Sequence, residues 1–293
     1  ISAVMPGVIM PKPVRPIVEG STGVKIENVP YVSPTDTLAK LTSPGGTSRY
    51  DLMVSVTNFI KDPVMGEKAG DEYAMALNMG KIPNANNLMP LFKNEVVTRA
   101  GKTYLIPVFW GYDSVIFNAD KIPADESRTH SWGLLFDDKY AGRVALRDDA
   151  HQTITITALH LGINDVWNMD ESDLKEVIKF LISKKKNFRT LWTNFGEALN
   201  LLSSGEVDGL YGWIVMRSRL QKQGMNVKNN WPSEGLLIWN QSAFIPKDAP
   251  NAEAAHRVIN AMTGAEYGKK LTEVTEYLVT SKAGAEAFTS EQQ

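Results

Sequence analysis

Tyr50-Asp51-Leu52-Met53-Val54-Ser55-Val56 is a largely apolar run of strand length, preceded by the loop signal Pro44-Gly45-Gly46. A strand wetted on one face alternates apolar and polar residues, whereas a run without that alternation fits a strand covered on both faces, as in a parallel sheet. Working back from it, Asp36 to Leu41 reads as a short helix. Thr22-Gly23-Val24-Lys25-Ile26 sets a glycine suited to a helix C′ position ahead of a β-branched run suited to a strand. The opening, Ile1 to Pro16, holds four prolines and reads as a short strand followed by a stiffened entry to a helix. Strands alternating with short helices imply an α/β fold with a parallel sheet.

The second half repeats this grammar. Gly142-Arg143-Val144-Ala145-Leu146 is a short strand, and Asp148-Asp149 after it can cap a helix starting near Thr153. Asp173 to Lys185 carries Leu174, Val177, Ile178, Leu181 and Ile182 at helical spacing. Leu210 to Val215 and Gly235 to Trp239 read as strands, and Asn251 to Thr263 as an amphipathic helix with Ala255, Val258, Ile259 and Met262 on one face. Two such halves suggest two lobes with a cleft between them. Open α/β sheets bind ligands beyond the carboxyl ends of their strands, so the segments 5–10, 55–59, 109–113, 148–152, 211–213 and 239–242 are expected to line the site.

Composition narrows the function. The 293 residues hold 43% hydrophobic and 22% charged side chains, which suits one large or two ordinary globular domains. Zero cysteine removes thiol nucleophiles, disulfide frameworks and cysteine-based metal sites. The 31 Lys and Arg are offset by 33 Asp and Glu for a net charge of −2, which argues against nucleic acid as a partner. No window approaches the ~18 apolar residues of a membrane-spanning helix. There is no GxSxG, HExxH, GxxxxGK[ST] or GxGxxG. Ser183-Lys184-Lys185-Lys186 matches SxxK only by chance, at the end of a Lys-rich helix and without its partner motifs. The four histidines, 130, 151, 160 and 256, have no metal-ligand spacing, and Tyr211 and Tyr277 are not the adjacent pair that a tyrosine-based metal receptor would use. These absences argue against an enzyme and against a bound cofactor.

Trp110-Gly111-Tyr112-Asp113-Ser114 joins a strand-like Leu105–Phe109 to a strand-like Val115–Asn118 and by itself reads as a sheet edge with interfacial aromatics. Around it lie further blocks in fixed order: Tyr104 to Gly111, Ser131-Trp132-Gly133-Leu134-Leu135, Lys139 to Val144, Asp148-Asp149-Ala150, Asn194 to Leu199, Ser204 to Asp208, Pro232 to Gly235, and Ala243 to Asn251. From Thr22 through Asn260 this pattern resembles the periplasmic spermidine/putrescine-binding proteins, the polyamine branch of the solute-binding components of ABC importers. The resemblance implies a two-lobe, type II-like periplasmic binding protein fold that closes on a small solute and docks onto a membrane permease. It implies lobe 1 as 1–115 plus 245–293, lobe 2 as 116–244, and crossovers near 115–118 and 241–244. It also implies a periplasmic location, under which the start at Ile1 rather than Met reads as a mature exported chain.

Carried over by position, the resemblance assigns ligand contacts to Asp149, Trp213 and Trp239, with Trp110 in the aromatic block and Tyr277 near the cleft mouth. Each keeps a plainer alternative: Asp149 as a helix cap, the tryptophans as core, Tyr277 as surface. The departures shape the ligand. Gln152 stands where the family typically has a second carboxylate, Gln241 where it has an amine-pairing Asp, Met5 in the N-terminal motif that usually brings an aromatic, and Asn58 where a Tyr is expected. A desolvated ammonium without a partner costs several kcal/mol, against the about 8 kcal/mol of a micromolar complex. Carboxamides both donate and accept, so these positions suit hydroxyls, amides or carboxylates. The expected ligand therefore has at most one ammonium, as in opine-like sugar–amino acid conjugates or other amino-acid derivatives. A true polyamine binder is the alternative, and an enzyme on the same scaffold the more remote one.

Overall fold

The computed structural model describes residues 1–124, 127–163 and 165–285. Its strands are β1 (Ser2–Val4), β2 (Glu27–Val29), β3 (Leu52–Val56), β4 (Val97–Arg99), β5 (Lys102–Asn118), β6 (Val144–Arg147), β7 (Phe188–Trp192), β8 (Gly209–Trp213), β9 (Val227–Asn229), β10 (Leu237–Phe244) and β11 (Leu278–Val279). The chain divides into two compact units. Unit 1 is Ile1–Gly111 with Trp239–Gln293, and unit 2 is Tyr112–Ile238. The passages at 111/112 and 238/239 lie a few residues before the expected 115–118 and 241–244, and 286–293 of the expected first lobe fall outside the described residues.

In unit 1, β1 pairs in parallel with β2 and β3, and β10 runs antiparallel to β3 with Gln241 opposite Val56. β4 and β11 pair antiparallel with β5. The apolar run at 52–56 is explained by its two covered faces. Leu52 and Val54 enter one apolar cluster with Ala3, Ile106, Val108 and Ala243, while Met53 enters another with Val4, Leu105 and Phe244. With successive side chains on opposite faces, a strand lying between two cores must be apolar at nearly every position. Helix Ala252–Met262 buries Ala255, Val258, Ile259 and Met262, the face its spacing implies.

In unit 2, β6 pairs in parallel with β7 and β8, while the second part of β5 runs antiparallel to β8 and β9. One core, including Trp132, Leu134, Phe136, Val144, Trp192, Leu202, Leu210 and Met216, fills it. The parallel alignment sets the carboxyl ends of β6, β7 and β8, at Arg147, Trp192 and Trp213, along one edge.

Several local expectations change. Trp110 to Ser114 is no loop between two strands but the middle of the unbroken 17-residue β5, since aromatic and β-branched side chains flank its lone glycine. The strand after Gly23 begins at Glu27, so Val24 to Ile26 form a connection; Gly23 itself is the left-handed cap, with φ 67°. Ile214 and Val215 belong to helix Ile214–Lys222, not to the strand before it. Helix Glu171–Lys184 buries Val177, whereas Ile178 and Ile182 are 49% and 69% exposed. Each lies one position past Val177 or Leu181, about 100° around the helix from the small cluster of Ala158, Val166 and Val177.

Candidate functional site

The strand ends of unit 2 gather a polar and aromatic group. Asp149 is the N-cap of helix Ala150–His160, and its Oδ1 accepts from the Gln152 backbone N–H at 3.2 Å. Its Oδ2 lies 3.4 Å from Nη1 of Arg147, the last residue of β6. The same Nη1 donates to Gln152 Oε1 at 2.8 Å, and Gln152 Nε2 donates to Asp113 Oδ2 at 3.3 Å. Asp113 stands opposite Trp213 in the β5–β8 ladder and is 1% exposed. The buried Tyr211, two residues before Trp213 and on the same face, donates its hydroxyl to Asp113 Oδ2. Burial pushes the Tyr211 phenol well above its ordinary range, and the adjacent Asp113 carboxylate pushes it further. Tyr211 thus stands as the hydrogen-bond donor to Asp113.

Aromatic rings frame this chain of hydrogen bonds. The Arg147 guanidinium carbon lies 5.0 Å from the Trp213 ring and 5.8 Å from the Trp192 ring. Trp213 stacks on Phe195 at 6.0 Å and 14°, and meets Trp192 edge-on at 5.5 Å and 87°. Trp192 is anchored by its Nε1–H, which donates to the Tyr211 carbonyl at 3.0 Å. The result is a half-buried aromatic shelf with a fixed cation, two carboxylates and a carboxamide beside it, able to bind ammonium, carboxylate and apolar parts of a solute.

Unit 1 holds a separate group. Trp239, Phe109 and Tyr277 form a mutual edge-to-face trio with centroids 5.7 to 5.9 Å apart. Gly111 makes room for it, because a Cβ there would fall 2.5 Å from Trp239 Cζ2. Gln241, two positions along β10 on the same face as Trp239, is 8% exposed, and its buried Oε1 accepts no hydrogen bond among the described residues. An unmet buried acceptor costs ~1–3 kcal/mol, which a donor on a ligand or water would relieve.

The structure therefore brings Asp149, Gln152 and Trp213 together in unit 2, and Trp239, Gln241 and Tyr277 on neighbouring positions in unit 1. Three expected contacts sit elsewhere. Met5, one residue past β1, is fully buried in the same apolar cluster as Ala3. Asn58 is exposed on the first turn of helix Thr57–Met65, since the strand ends at Val56. Trp110 points to the face opposite Phe109, donates its Nε1–H to the Val279 carbonyl at 3.1 Å and packs on Phe92 at 5.4 Å, which is a structural anchorage. Asp113 and Tyr211 fall in the segments 109–113 and 211–213 expected to line the site without being singled out as contacts, and Arg147 lies just outside the expected segment 148–152. The one charged residue inside the largely apolar 104–117 run was the available signal for Asp113, and an arginine closing the strand just before Asp148-Asp149 the signal for Arg147. Among the described residues, no group of three or more His, Cys, Asp or Glu is arranged to hold a metal.

Residues 48–292 match a family described as bacterial extracellular solute-binding protein. The chain is 27% identical over 272 residues to spermidine/putrescine-binding periplasmic protein 1 of Haemophilus influenzae, covering 92% of this chain and 72% of that one. The spermidine/putrescine ABC transporter substrate-binding protein of Streptococcus pneumoniae superposes with TM-score 0.83 at 22% identity, over 99% of this chain and 85% of that one. A binding protein of A. tumefaciens in complex with glucopine superposes with TM-score 0.76 at 19% identity, over 99% and 87%.

Proposed function

The chain belongs to the bacterial extracellular solute-binding protein family, and we propose that within it this protein captures a small polar solute bearing at most one ammonium group for delivery to an ABC permease. It is a substrate-binding protein of an ABC transporter, of the same periplasmic kind as its relatives. No helix among the described residues is long and apolar enough to cross a membrane. The observation that carries the ligand reading is the guanidinium of Arg147, 3.4 Å from Asp149. A carboxylate that already faces a resident cation is a poor anchor for a polycation, which needs one acid per ammonium.

In unit 2 the contacts are Asp149, Gln152 and Trp213; in unit 1 they are Trp239, Gln241 and Tyr277. Opine-like conjugates and other amino-acid derivatives have the required chemistry. A polyamine remains the second reading, favoured by the acid at Asp113. A thermal-shift panel of putrescine, spermidine, amino acids and opines decides, with calorimetry on the responders. Stabilisation by solutes with one ammonium is expected, and tighter binding of putrescine or spermidine would overturn the reading. Mass spectrometry of the recovered solute is expected to find it chemically unchanged, as a receptor rather than an enzyme requires.

A further inference from the structure

The geometry points to Arg147 as a carboxylate-binding residue, which makes the ligand an amino-acid-derived zwitterion rather than a plain monoamine. This rests on the reading above and adds the chemistry of the second end of the solute. Only one edge of the guanidinium is engaged: Nη1 contacts Gln152 Oε1 and Asp149 Oδ2. Nε and Nη2 make no hydrogen bond to any described residue. Those two donors form the side-on fork that matches the two oxygens of a carboxylate. The side chain is 27% exposed, so the fork is reachable, and it is held rather than loose. Gln152 and Asp149 fix its near end, while the guanidinium carbon lies over the Trp213 and Trp192 rings, 5.0 and 5.8 Å from their centroids.

Position supports the same assignment. Arg147 closes β6 at the carboxyl edge of the parallel strands, the edge where open α/β sheets bind ligands. An arginine needed only to neutralise Asp149 could use a salt bridge on the outer surface; here it is placed beside two acids and an aromatic shelf. Its neighbour Asp149, 25% exposed, provides an acceptor for an ammonium within the same group of side chains. One fixed cation and an adjacent carboxylate complement a solute that carries both charges close together, and they reject a diamine at one end.

The test compares near-isosteric probes on the intact chain: 4-aminobutyrate, its amide and putrescine, together with glucopine and its methyl ester. The wild-type protein is expected to bind at least one carboxylate-bearing probe tenfold or more tightly than its amide or ester. Arg147→Gln is expected to erase that ratio, and Arg147→Lys to keep part of it, with thermal melting of the unliganded variants as the check on folding. Should Arg147→Gln not fold, the wild-type acid-to-amide ratio and Arg147→Lys decide. Equal binding of acid and amide by the wild type overturns the role of Arg147 while leaving a receptor for singly cationic solutes standing. No binding by any carboxylate-bearing probe, with amides or monoamines bound, does the same. Tightest binding of putrescine overturns both.

Discussion

Replacing Arg147 by glutamine is expected to raise affinity for putrescine, an outcome opposite to that of most substitutions in a binding site. The magnitude follows from the spacing of charges. Arg147 Nη1 is 3.4 Å from Asp149 Oδ2, so an ammonium hydrogen-bonded to the same carboxylate would sit on the order of 5 Å from the guanidinium. Coulomb repulsion at that distance is about 3 kcal/mol at an effective dielectric of ~20, and about 1.5 kcal/mol if solvent doubles the dielectric. The Arg147 and Asp149 side chains are 27% and 25% exposed, between those regimes. Relief of about 1.5–3 kcal/mol corresponds to roughly a ten- to hundredfold lower Kd. Glutamine keeps a donor for Gln152 Oε1, which limits structural damage.

The assay is calorimetric titration of wild type and Arg147→Gln with putrescine at low and high salt. The gain should shrink as salt rises, because partly exposed charges are screened over a Debye length of ~8–10 Å. Unchanged putrescine affinity at low salt, with both proteins melting alike, would refute the claim that the resident cation excludes a second ammonium. A salt-independent gain would point instead to a steric effect of the shorter side chain.

Other expectations follow from the same geometry. Asp149→Asn preserves the N-cap, because asparagine caps as well as aspartate, but removes the charge. It should leave the melting temperature nearly unchanged while weakening an ammonium-bearing ligand by ~2 kcal/mol or more, and unchanged affinity by calorimetry would reduce Asp149 to a cap. Gly111→Ala drives a methyl to within 2.5 Å of Trp239 Cζ2, so the ring or the strand must shift, at a cost of ~1–3 kcal/mol visible as a lower melting temperature and an altered near-ultraviolet dichroism. Tyr211 and Tyr267 are fully buried with phenols raised above the ordinary range near pH 10, mainly by desolvation. Their contribution to stability is therefore complete below ~10, and it falls as pH rises further, because the unfolded chain releases protons that the folded one retains. Denaturant titrations from pH 9 to 11.5 should show that decline, and Tyr267→Phe should make it shallower.

Much of the fold was legible because burial leaves a periodic trace. The run Leu52–Val56 and the helix face Ala255, Val258, Ile259, Met262 carry their environment in their spacing. Asp149 was legible as a cap for the same reason: the carboxylate must precede the first helical turn. What the sequence withheld were contacts across strands. Asp113 and Tyr211 are 98 residues apart and meet only because β5 and β8 pair with Asp113 opposite Trp213 and Val115 opposite Tyr211. Met5 and Asn58 stand apart from the two gathered groups for a related reason. Their sequence positions are near strand ends, but burial in the apolar cluster beside Ala3 decides Met5 and the end of β3 at Val56 decides Asn58.

The carboxamide at 152 is better understood through its neighbours than as a missing acid. Its Oε1 accepts from Arg147 and its Nε2 donates to Asp113, two demands of opposite sign that no carboxylate can satisfy together. A glutamate there would still suit Arg147 but would face Asp113 with a like charge in a nearly dry environment, where such pairs are most costly. Conversely, with aspartate at 113 the strand supplies the acid that the helix lacks. The second acid of this group is thus Asp113 of β5, beneath the Tyr211 hydroxyl, and a cation, Arg147, stands beside Asp149. Subtracting acids at 152 and 241 from the expected set gave a site short of negative charge. The side chains gathered in unit 2 give a site in which Arg147 contacts Asp149 directly and Gln152 links it to Asp113, and that resident cation, rather than a deficit of acid, is the feature on which the proposed exclusion of a chain of ammonium groups rests.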